Sequence, residues 1–303
     1  MDFIKNKGIL WALGTTVISG VSVYVNKFGV AQVSDPYVYT TLKNSLVAIG
    51  LLAALALLAG GWRELRGFSA RQWAGWVGLG LIGGGVPFLL FFGGLASASA
   101  PSAALIHKTL FLWVALLAVP LLGERLGGWQ VAGLAVLAIG QFLLRPPAGW
   151  GWGSGETLIL IATLLWAFET ILAKKILPEM SARSAAMGRM GIGSLVMWLF
   201  LSLTGRAETA LALTGGQWFW VLVTSIFLMG YVWTWYSALK VAPAVLVTSI
   251  LTLSAIITIL LDILVEGQGV TMPQLAGIFL LIVGGLAFLF QFPRRLSQAV
   301  AAG

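Results

Sequence analysis

Cysteine is missing from the 303-residue chain, which excludes disulfides and thiolate metal sites and leaves the compartment open. Histidine occurs once, as His107, so multi-histidine zinc or copper centres are excluded too. Charge is scarce: 9% of residues are charged and 59% hydrophobic, whereas a soluble domain carries about 25% charged residues. A chain this poor in charge belongs in a bilayer. Its few charges are lopsided, with Lys+Arg 18 against Asp+Glu 10. The net charge of +8 is read as marking loops on one side of a membrane, with no nucleic-acid partner expected. Paired carboxylates at ligand spacing and a nucleophile motif are both lacking, so neither an enzyme nor a metal or cofactor site is expected.

What the chain does contain is apolar helix. Ten spans are predicted, at 8–30, 37–60, 73–95, 100–122, 127–144, 155–176, 184–204, 218–239, 243–265 and 272–292, each near the roughly 20 residues one crossing requires. The first lacks a small-residue cleavage site and is read as a retained helix, not a signal peptide. Two links, 62–72 and 205–217, are long enough for interfacial segments. The Pro/Gly-rich stretch 145–154, with Trp150 and Trp152, separates two halves. With both termini on one side, that side carries Lys5, Lys7, Arg63, Arg66, Arg71, Arg125, Lys174, Lys175, Arg183, Lys240, Arg294 and Arg295. The other side carries only Lys27, Arg145 and Arg206. This bias predicts cytoplasmic termini.

The halves repeat one another. Gln72-Trp73 matches Gln217-Trp218, Gly85 matches Gly230, and Gln130…Gly133…Gly140 matches Gln274…Gly277…Gly284. Lys27 matches Lys174, and Ala100-Pro101 matches Ala242-Pro243. The predicted units are 1–147 and 148–303, five spans each. An odd number of crossings inverts the second copy relative to the first.

Two five-span repeats, Ala-Pro before the fourth span, Gly123-Glu124 after it and the Gln…Gly pattern of the fifth resemble the drug/metabolite transporter superfamily, in its EamA branch. In the second copy Glu266-Gly267 reverses the Gly-Glu order, and Asp262 stands where the first copy has Pro120. The resemblance implies an all-α membrane protein of ten helices in two inverted repeats, placed in a bacterial inner membrane. It implies a carrier, often an exporter of amino acids or other small metabolites, with a central cavity that opens alternately to each side. Spans one, three, four, six, eight and nine are the implied lining. A closed repeat architecture permits a monomer and equally permits a dimer.

Candidate site residues follow from what is costly inside a span. Lys43, Lys108 and Arg189 are cations at membrane depth, suited to capturing a carboxylate or else snorkelling or pairing with an acid. His107 and Lys108 are adjacent, so they point roughly 100° apart on a helix. Glu169 pairs with Arg189 or Lys174, or binds a substrate ammonium or a proton. Tyr231 and Trp235 share a face of the eighth span; with Trp113 and Trp166 they suit apolar or aromatic side chains and the π-face binding of cations. Gly83, Gly84, Gly85 and Pro87 interrupt the third span, as a hinge or cavity wall or as a small-residue packing seam. Together these residues favour an amino acid with an aromatic or large apolar side chain as substrate, the alternative being a lipophilic cation or drug.

Overall fold

The computed structural model describes residues 2–57, 61–144 and 152–301, with side chains for 7–57, 61–99, 101–144 and 152–289. The link through residue 151 and the side chains of Lys5, Arg294 and Arg295 fall outside these residues. Ten long helices occupy the described chain: α1 (Lys7–Gln32), α2 (Pro36–Leu57), α3 (Ala70–Leu95), α4 (Pro101–Leu122), α5 (Gly128–Leu144), α6 (Ser154–Glu179), α7 (Ala182–Leu203), α8 (Gly215–Val241), α9 (Ala244–Glu266) and α10 (Met272–Leu289). Nine are long and apolar enough to cross a bilayer, and α5 is a shorter apolar helix of 17 residues. The two longer links each carry a short helix, Gly61–Arg66 and Ala207–Leu211. No strand occurs among the described residues, as expected where every backbone polar group must be satisfied away from water.

The repeats interlock. Helix α1 packs along α8 and α9 of the second repeat, and its counterpart α6 packs along α3 and α4 of the first. Helix α2 crosses α7, and α5 pairs with α10. Each repeat's first helix packs mainly against helices of the other repeat.

The repeated glutamines explain themselves in this arrangement. Gln72 closes a capping box with Ser69 at the start of α3, and Gln217 does the same with Thr214 at the start of α8. Capping of this kind contributes typically about 1 kcal/mol per helix start. Each glutamine then spends its amide N–H on the end of a helix from the other repeat. Gln72 Nε2 donates to Glu179 O at 2.8 Å, and Gln217 Nε2 donates to Gln32 O at 2.9 Å. One side chain thus starts its own helix and anchors the far end of α6 or α1. Gln130 and Gln274 likewise accept from the backbone N–H three residues earlier, at Gly127 and Thr271.

Three spans are broken. Helix α3 changes to π-helical turns over Gly80–Gly85, and Pro87, which has no N–H to donate back to those turns, sits in the first turn of the α-helix that continues from them. Helices α4 and α9 each split within the first half of the span, after Lys108 and after Leu251. The continuous apolar runs of these two spans gave no sign of the splits. Both helices end on a left-handed glycine, Gly123 (φ 68°) and Gly267 (φ 66°), a conformation that favours glycine. The reversed order of the two Gly/Glu motifs therefore keeps the glycines equivalent and moves the carboxylates.

Candidate functional site

The π-helical turns of α3 bring backbone against backbone. A Cβ at Gly84 would lie 1.8 Å from Arg189 O of α7, and one at Gly83 would lie 2.5 Å from Glu169 Cγ of α6. A side chain at either position would hold the helices apart. Glycine here sets the distance between α3, α6 and α7.

A polar cluster is built on that seam. Glu169, with 1% of its side chain exposed, and Arg189, with 9%, form an ion pair at 3.7 Å. Tyr236 of α8 donates its hydroxyl proton to Glu169 Oε1. The three groups come from three different helices, so the charge of Glu169 is answered twice inside the protein. Lys174, the other sequence-level partner, turns away: its Nζ donates to Leu239 O and Ala242 O, both at 2.7 Å. Tyr231 stacks on Trp235 one turn away, ring centres 6.1 Å apart.

Trp166 of α6 joins the seam to an aromatic wall. Its indole N–H donates to Gly83 O at 2.9 Å, satisfying a carbonyl of the π-helical turns. Its ring lies 4.9 Å from His107, 5.3 Å from Phe88 and 5.7 Å from Phe91, centre to centre. Phe92 continues the wall to Tyr37, 6.2 Å away. Phe88, Phe91, Phe92 and His107 are only half-buried, so the wall is not closed over by protein. The helix turn separates His107 from its neighbour: His107 faces α3 and α6, while Lys108 Nζ lies 3.4 Å from Ser254 Oγ of α9 and lines a shallow pocket with Gln141. Trp113 donates its indole N–H to Thr109 Oγ1 at the split of α4. Lys43 of α2 donates to Asn26 Oδ1 of α1 at 3.1 Å and lies 5.1 Å from the centre of the Tyr39 ring, whose hydroxyl meets both Asn26 and Thr224 of α8.

The two faces of the bundle differ. On one, Glu124 accepts from the first amides of α9, Ala244 N at 2.6 Å and Val245 N at 3.1 Å. Burial pushes the Glu124 carboxyl above its usual range, and those two N–H groups with the Lys174 charge act against the rise. On the other face Lys27 pairs with Asp262 at 2.5 Å and Glu266 at 2.7 Å, both on α9. The equivalent lysines Lys27 and Lys174 thus have different partners.

With this architecture established, the decisive comparison is with a family model, the EamA-like transporter family, which matches twice, over residues 6–145 and 153–290. The chain belongs to the EamA-like transporter family. The transporter is also 28% identical over 134 residues to a protein of Sinorhizobium sp described as an uncharacterized transporter in the cobO 3' region, a match covering 44% of this chain and 93% of the relative. A solved crystal structure superposes with a TM-score of 0.78 at 19% identity, covering 96% of the transporter and 99% of that chain; at this identity the likeness is one of fold.

Phe88, Phe91 and Phe92 were absent from the sequence-level candidates. Their i, i+3, i+4 spacing behind Pro87 was the available signal. Tyr39 lies four residues before Lys43 on α2, a helical spacing visible in the sequence, whereas Asn26 had no signal, because it matters only through the helix that faces it. The Trp166 contact carries its own prediction. Trp166→Phe keeps the ring but leaves the Gly83 carbonyl without its donor, and a thermal melt in detergent should show a loss of about 1–3 kcal/mol.

Proposed function

We propose that the transporter exports amino acids with aromatic or large apolar side chains across the bacterial inner membrane by alternating access, with both termini in the cytoplasm and the chain divided into inverted repeats at about residue 147. The observation that carries the substrate class is the wall of half-buried Phe88, Phe91, Phe92 and His107 packed around the buried Trp166. Ring faces and edges offered at 5–6 Å spacing suit another ring or a large aliphatic side chain. A lipophilic cation would gain most where a free carboxylate adds to the ring faces of such a wall, and Glu169 is already held by Arg189 and Tyr236. Alternation is supported by the unequal faces. Lys174 ties α6 to the last carbonyls of α8, whereas Lys27 stays with α9.

Counterflow in liposomes of the purified transporter tests this. Vesicles loaded with a mixture of unlabelled amino acids should take up labelled phenylalanine and tryptophan, and far less threonine or aspartate, without an ion gradient. Phe91→Ala should raise the half-saturating phenylalanine concentration about fivefold, from the loss of roughly 1 kcal/mol of ring contact. Equal uptake of all four, or of none, would overturn the substrate class.

A further inference from the structure

We infer that Lys43 and Asn26 form an anion subsite that takes the carboxylate of the substrate, an inference that rests on the amino acid reading above. The cations at membrane depth are not equivalent. Arg189 is neutralised by Glu169, and Lys108 lies on the α9 side, beside Ser254. Lys43 has no carboxylate within pairing distance among the described residues: its ammonium donates to Asn26 Oδ1 at 3.1 Å and lies 5.1 Å from the centre of the Tyr39 ring. Neither partner carries negative charge, so a half-buried ammonium keeps spare donors and an unanswered charge.

Asn26 is oriented by the same contact. An ammonium has only donors, so the amide oxygen must be the atom that faces Lys43. Tyr39 Oη, 2.8 Å from that oxygen and 2.8 Å from Thr224 Oγ1, holds the amide plane. Gly29 makes the approach of Tyr39 possible, since a Cβ there would lie 2.3 Å from the hydroxyl oxygen. The Asn26 nitrogen is thereby turned away from Lys43, with its N–H donors and no acceptor among the described residues. One ammonium and one amide NH₂, braced by α1, α2 and α8, match the two oxygens of a carboxylate, and bonds to an ionised acceptor are the strong kind. No sequence motif marks this pair. Its members lie 17 positions apart on different helices.

The test separates the subsite from the substrate class. Purified transporter in detergent is melted with phenylalanine, with 3-phenylpropionate, which keeps the carboxylate and lacks the ammonium, and with phenylalaninamide, which lacks the carboxylate. The two carboxylates should raise Tm and the amide should not. Lys43→Met should weaken the carboxylate response at least tenfold in ligand concentration, Lys43→Arg should retain most of it, and Asn26→Leu should weaken it several-fold should Lys43→Met fail to fold. A carboxylate response unchanged in Lys43→Met or Asn26→Leu, an equal response to the amide, or no response in the wild type would overturn the subsite. Failure of phenylalanine counterflow with this pattern intact would overturn the amino acid reading and leave the subsite standing.

Discussion

Arg189→Met should cost the transporter about 3–5 kcal/mol, the expected penalty for stranding one member of a buried ion pair. Glu169 has 1% of its side chain exposed and would keep only the Tyr236 hydroxyl as partner. A carboxylate in that position cannot be resolvated without opening the α3–α6–α7 seam. The double variant Glu169→Gln, Arg189→Met removes both charges and leaves Tyr236 an amide oxygen to donate to. It should recover most of the loss, because neutral replacement of a buried pair is often close to neutral in stability. The measurement is a double-mutant cycle of denaturation in detergent. A single-variant loss under about 1 kcal/mol, or a double variant no better than the single, would show that the pair is wet or loosely held.

Gly84→Ala should be worse still, and for a purely steric reason. The added methyl would sit 1.8 Å from Arg189 O and 3.1 Å from Gly193 Cα. Both obstacles are backbone, so no rotamer change relieves the clash. Overpacking costs typically about 1–3 kcal/mol where side chains can yield, and here α3 and α7 must separate along their contact. The expected result is loss of folded protein on size-exclusion chromatography. Gly14→Ala is the control. Nothing lies within 4 Å of a Cβ there, and alanine in a helix interior is preferred over glycine by about 0.8–1.0 kcal/mol. Gly14→Ala should leave yield and Tm unchanged or slightly raised. A folded, thermally normal Gly84→Ala protein would mean that the close approach of α3 to α7 is not needed for the fold.

Both predictions rest on contacts that no reading of hydropathy could supply. Composition and hydropathy alone make the chain a helical membrane protein, because its charge deficit and ten apolar runs leave no other solvent for it. The two repeats were equally legible, because Gln72 and Gln217, and Gln130 and Gln274, recur in order and each accepts a backbone N–H three residues away at the start of its own helix. Capping boxes and left-handed glycine stops are short-range features, and short-range features survive in a one-dimensional pattern. The acids and bases at membrane depth were also visible, since each is costly wherever it points.

Where each residue points was decided by the tertiary structure alone. In water an amphipathic stripe tells which face of a helix is buried, but in a bilayer lipid and protein interior are equally apolar and that stripe is missing. So the sequence could name His107 and Lys108 as diverging without saying which one meets Trp166. It left Glu169 between Arg189 and Lys174, and only the crossing of α6, α7 and α8 chose Arg189 and added Tyr236. It counted Lys43 among three cations, and only the packing of α1 on α2 placed Asn26 beside it. The interlocking of the repeats, in which α1 and α6 each pack mainly along helices of the other half, is the long-range fact that brings Trp166 to Gly83 and His107, and Tyr39 to Thr224.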